Sequence, residues 1–88
     1  MNYKEKYYNH FNIHLVDFCY CEYSWIVKRV AVEAQNIHHI AHGKGKKNNN
    51  IENLMALSYE NHQKAHNEKL NRYDLKEIHL KFLKNHPY

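Results

Sequence analysis

Between residues 30 and 35 the chain alternates Val30, Val32 and Ala34 with Ala31, Glu33 and Gln35, then runs straight into Asn36, Ile37, His38, His39 and Ile40. Period-two alternation is the signature of a strand with one buried face. Successive side chains of an extended segment point to opposite faces, so adjacent histidines leave it on opposite sides. The segment fixes a strand in the fold and requires a separate explanation for each imidazole.

The next stretch, HGKGKKNNN at 42 to 50, holds both glycines of the chain, three lysines and three consecutive asparagines. That composition breaks regular structure and leaves backbone N–H groups free, which makes a basic loop. Ile51, Leu54, Met55 and Leu57 then form a short apolar stretch ending at Ser58, a competent N-cap for a helix from Tyr59. The helix SYENHQKAHNEKL carries His62 and His66 one turn apart on one face. Leu75, Ile78, His79, Phe82 and Leu83 follow the spacing of an amphipathic packing helix over about 72–85, capped by Asn71 or Asp74 and stopped by Pro87. In the N-terminal third, Tyr3, Tyr7, Tyr8 and Phe11 suit a short helix, and Phe18 to Ile26 a strand or hairpin.

A chain of 88 residues reads as one domain over 1–88. At this size about 60% of the unfolded surface is buried on folding, so the core is thin. No apolar run reaches transmembrane length, and MNYKEKYYNH lacks the apolar region of a signal peptide, so an intracellular, cytoplasmic protein with no membrane partner is expected. Cys19 and Cys21 are too close in sequence for an unstrained disulfide, which favours a reducing compartment. A net charge of +4 favours a polyanionic partner.

A strand end packed on a helix face brings His38, His62 and His66 within about 2.1 Å of one divalent ion, the bond length that imidazole nitrogen needs. Three protein ligands leave a coordination position for water or a substrate oxygen. His39, turned away from its neighbour, sits beside the metal as a base, imidazole being a side chain that can take a proton from water near neutral pH. The short amide of Asn53 suits it to fix the intervening loop and so the position of His39. With nine histidines, about one H-x-x-x-H pair arises by chance, but His38, His39, Asn53, His62 and His66 together have an expectation of about 0.001. His10, His14, His79 and His86 read as surface or packing residues, and His42 as a phosphate contact or a solvated loop residue. All-imidazole ligation suits Zn, Ni, Co or Mn better than Mg.

The stretches IHHI, IENLMAL and NHQKAH together resemble the HNH endonuclease family, the ββα-metal nucleases, over about residues 30–70. The spacing is similar to that of the three-histidine branch that includes the colicin DNases, and HGKGKKNNNIENL resembles the loop of small HNH proteins from phages and mobile elements. The resemblance implies an α+β fold: a small ββα-metal motif with a two-stranded antiparallel hairpin, a metal-binding helix and flanking helices. It implies His38, His62 and His66 as ligands of one divalent metal, His39 as general base and Asn53 as the residue that orients loop and base. The reaction implied is hydrolysis of DNA phosphodiesters, by nicking or double-strand cleavage, leaving 5′-phosphate and 3′-hydroxyl ends. Lys44, Lys46, Lys47, His42, Lys64 and Lys69 are the expected DNA contacts. A monomer or homodimer, acting with DNA and with other phage or host proteins, fits this picture.

The sequence departs from many small HNH proteins at the two C-x-x-C pairs that bind a structural zinc. The corresponding stretches read Cys21-Glu22-Tyr23-Ser24 and Ser58-Tyr59-Glu60-Asn61, ahead of His62. Serine and asparagine are poor zinc ligands, so no structural zinc is expected, and both cysteines read as small half-buried hydrophobes. Stability then falls to the aromatic N-terminal third, with Trp25, and to the C-terminal helix. The alternatives are a catalytically silent DNA-binding or phage-packaging accessory on the same fold, and a purely structural metal, which calls for a fourth protein ligand.

Overall fold

The computed structural model describes residues 2–14, 17–41, 48–67 and 69–88. Helix α1 spans Tyr3–Phe11; the Asn2 side chain accepts from the Glu5 N–H at its start, and Asn12 ends it in left-handed backbone with φ 58°. Asparagine is among the few residues that tolerate that conformation. Tyr7 and Phe11, one turn apart, are its buried residues, so the N-terminal aromatics make the expected helix.

The expected strand or hairpin over Phe18–Ile26 is not formed. One bridge pairs Tyr20 with Glu33, flanked by hydrogen bonds from the Cys21 N–H to the Val32 carbonyl (2.7 Å) and from the Ala34 N–H to the Cys19 carbonyl (2.8 Å). The backbone then coils into a π-helical turn, Ser24–Lys28, closed by Arg29 at φ 59°. The alternating run at 30–35 likewise overstates the strand. Val30 and Val32 are 48% and 37% exposed, because no layer covers them and the segment has a single bridged partner.

The strand is confined to β1, Asn36–His39, which pairs antiparallel with β2, Leu54–Leu57. The register sets His38 opposite Met55 and His39 opposite Leu54, and a 3-10 turn over Ile51–Asn53 leads into β2. All four residues of β2 are buried, which is why its sequence is a continuous apolar run. Its side chains divide between two cores. Leu54 and Ala56 join Tyr7, Phe11, Ile13, Cys19 and Phe82, whereas Met55 and Leu57 join Cys21, Ile40 and Leu75. Each fully buried leucine there stabilises the fold by about 1.5–3 kcal/mol relative to exposure.

Helix α2 spans Tyr59–His66, with Ser58 as N-cap accepting from the Asn61 N–H at 3.3 Å. Helix α3 spans Arg72–Lys84; Asn71 caps it and it buries Leu75, His79 and Phe82, touching both cores. The result is an α+β arrangement, a two-stranded antiparallel hairpin with α2 after it and α1 and α3 beside it, compatible with a ββα-type fold. Among the described residues no helix is long and apolar enough to cross a membrane.

Two buried polar clusters knit these elements. Glu22, with no exposed surface, accepts at Oε2 from the Tyr7 hydroxyl and from the Ala56 N–H (3.1 Å), while its Oε1 lies 2.6 Å from His79 Nδ1. His79 Nε2 donates to the Ile51 carbonyl at 2.6 Å. Burial pushes the Glu22 carboxyl above its ordinary range against the pull of His79; burial alone would lower His79, but the hydrogen bond and charge of Glu22 hold it raised. In the second cluster Cys21, Ser24, Ser58 and Asn61 meet. The Asn61 side-chain amide donates to Cys21 Sγ at 3.4 Å and to Ser24 Oγ at 3.3 Å. Burial raises the Cys21 thiol, and hydrogen bonds with Ser24, the Ser58 backbone and Asn61 outweigh it and leave the thiol below its ordinary value. Both cysteines are fully buried rather than half-buried.

Candidate metal centre

Directly opposed residues of an antiparallel pair share a face, so His38 lies on the Met55 side of the hairpin and His39 on the Leu54 side. His38 is buried against the face of α2 that carries His62 and His66. Its ring centroid is 5.1 Å from that of His62 and 5.5 Å from that of His66, and those two are 4.5 Å apart. One candidate ligand nitrogen from each ring lies within 4.8 Å of the other two. A tetrahedral site with bonds of about 2.1 Å sets its ligand nitrogens about 3.4 Å apart. The Nε2 atoms of His62 and His66, at 3.1 Å, are already close to that spacing.

The donor set suits a metal chemically as well. Burial first, and the charge of His66 second, lower the pKa of His62, favouring the neutral imidazole that ligation requires. The contact between His62 and His66 needs a proton on one nitrogen and a lone pair on the other, so both can turn lone pairs to a cation only by giving up that bond. His38 is buried, His62 half-buried and His66 exposed, so the triangle opens toward solvent on one side. Among the described residues this is the group of His, Cys, Asp or Glu side chains close enough to hold a metal ion.

On the other face, His39 is 9% exposed, and its ring lies 4.6 Å from that of Tyr3 in α1. Its Nε2 is 2.9 Å from Asn49 Oδ1; an amide oxygen only accepts, so this bond puts the proton on Nε2 and leaves the lone pair on Nδ1. Asn53 Oδ1 accepts from the Ala41 N–H (2.7 Å), and its Nδ2 donates to the carbonyls of Ala41 (3.0 Å) and Asn48 (2.9 Å). One buried side chain thus ties Ala41 to Asn48.

His42, Lys44, Lys46 and Lys47 lie outside the described residues. Lys64 pairs with Glu60 at 3.3 Å along α2, and Lys69 is exposed just beyond that helix. An exposed pair of this kind contributes about 0.3–0.5 kcal/mol and yields readily to a phosphate. Tyr3 and Asn49, the two residues against His39, carry no spacing signal: Asn49 is the middle of a polar run, and Tyr3 belongs to an aromatic pattern that served to place α1. His10, His14 and His86 are exposed, while His79 is wholly buried and hydrogen-bonded. Comparison of the chain with models of protein families, with curated proteins and with solved structures gives no match.

Proposed function

We propose that this chain is a metal-dependent endonuclease of the ββα-metal kind, hydrolysing phosphodiester bonds of DNA. The observation that carries the reading is the convergence of His38, His62 and His66 at one end of the hairpin, with His39 turned to the opposite face of the same strand end. A divalent ion held by the three imidazoles supplies the positive charge that stabilises a phosphate in reaction. His38 comes to that site from the buried end of β1, and α2 adds His62 and His66 from adjacent turns.

His39 accepts a proton from the attacking water at Nδ1, with Nε2–H held by Asn49 and the ring face packed by Tyr3. Asn53 keeps the ends of the loop, and with them Asn49, in place. Lys64 and Lys69, with Lys44, Lys46, Lys47 and His42 of the loop, neutralise backbone phosphates, so DNA affinity falls as salt rises.

The test is cleavage of supercoiled plasmid across Mg²⁺, Mn²⁺, Co²⁺, Ni²⁺ and Zn²⁺, with EDTA as control. Nicked or linear product with at least one ion, bearing 5′-phosphate and 3′-hydroxyl ends and absent with EDTA, is the expected result. A protein that binds metal and DNA yet cuts with none of these ions is the DNA-binding accessory instead.

A further inference from the structure

We infer that the cavity beside His38 is a subsite for an unpaired nucleobase, so that the chain acts on DNA with a single-stranded or unstacked nucleotide next to the phosphate at the metal site. The inference rests on the nuclease reading and adds the form of the substrate. The cavity has a volume of about 500 Å³, and His38 forms part of its wall, so an occupant lies beside the three-histidine centre. The rest of that wall is mixed: Ile40 and Leu75, both buried, and Ala65 and Leu70, both half-buried, make an apolar side, and Asn71, Arg72 and Tyr73 make a polar one. The apolar side suits the face of a flat heterocycle, and the polar side its edge and the phosphate attached to it.

The rim carries the complementary chemistry. Arg72 and Tyr73 line the same cavity, the guanidinium lies 5.4 Å from the centre of the Tyr73 ring, and that ring is 72% exposed. An exposed aromatic ring with a guanidinium over it is a platform on which a base stacks while its phosphate is neutralised. A base inside a duplex is stacked and paired, and reaches such a chamber only after extrusion. Electrostatics alone would favour the duplex, whose charge density is higher, so tighter binding of a single strand reports the base and not the backbone.

The measurement is fluorescence anisotropy with the His39→Ala protein loaded with Ni²⁺, which prevents turnover, and a labelled dT 12-mer or a 12-bp duplex as probe. The single strand is expected to bind about 10-fold tighter or better. Tyr73→Ala in the same background weakens the single strand about 5-fold or more and leaves duplex affinity unchanged. Leu70→Trp, which fills the chamber, removes the preference; should that variant not fold, the exposed Tyr73 position decides alone. Equal affinities, a duplex preference, or a Tyr73→Ala loss that is absent or the same for both probes overturns the subsite. Plasmid cleavage is read separately: single-strand preference without cutting by the wild-type protein sinks the nuclease reading, whereas cutting without that preference sinks the subsite alone.

Discussion

Asn53 shows how much one side chain can determine here. Its amide makes three hydrogen bonds to backbone groups of Ala41 and Asn48. Asn53→Ala is expected to cost about 1–3 kcal/mol in urea unfolding, the loss of three hydrogen bonds made by one buried side chain, and to slow cleavage by displacing Asn49 and His39. Asn53→Asp, which faces a carboxylate to two carbonyls, should cost more. At this scale the sequence was legible where spacing carried the signal: His38, His62 and His66 converge as their positions on a strand end and a helix face implied. Asn49 and Tyr3 were not legible, since their contact with His39 depends on loop geometry and on how α1 packs. Nor was Glu22, whose burial is decided by His79, 57 positions away.

Among the elements, α2 is the one on which the site depends most. Eight residues make a helix that is marginal by itself, so its N-cap and its packing hold His62 and His66 in place. Ser58→Ala is predicted to destabilise the protein by about 1 kcal/mol and to weaken Ni²⁺ binding in a competition titration with a chromophoric chelator. An unchanged affinity would show that α2 is held by the cores alone. The helices were readable by different signals: α1 by its aromatic face, α2 by the Ser58 cap and the spacing of His62 and His66, and α3 by both a cap and an apolar face. The strand was readable only in part: alternation at 30–35 met a single bridge and solvent, while Leu54–Leu57, buried on both faces, gave an apolar run that by itself does not distinguish strand from helix.

For the molecule as a whole, β2 lies between two small cores, and the Tyr7, Glu22 and His79 network crosses from one helix to another beside it. The folded state raises the pKa of both Glu22 and His79, so it holds protons that the unfolded chain releases. Their contribution is complete below the ordinary values of 4.5 and 6.5 and is lost as pH rises through the folded ones. In EDTA, wild-type stability should therefore fall relative to Glu22→Gln as pH rises above 6.5. The amide of that variant can donate to a neutral His79 Nδ1 while its oxygen still accepts from Tyr7 and Ala56. Parallel pH profiles for the two proteins would refute the raised pair. Metal acts on the same equilibrium: Ni²⁺ at 100 times its Kd should stabilise the fold by about 2.7 kcal/mol, and His62→Ala should abolish that gain. The most direct test of a three-histidine nuclease is His39→Ala beside the wild-type protein, with metal content and plasmid cleavage measured on the same samples. One metal ion per chain in both, with cleavage at least about 100-fold slower in the variant, is the predicted result. Cleavage by the variant at the wild-type rate, or a wild-type protein that cuts while holding no metal, would contradict it.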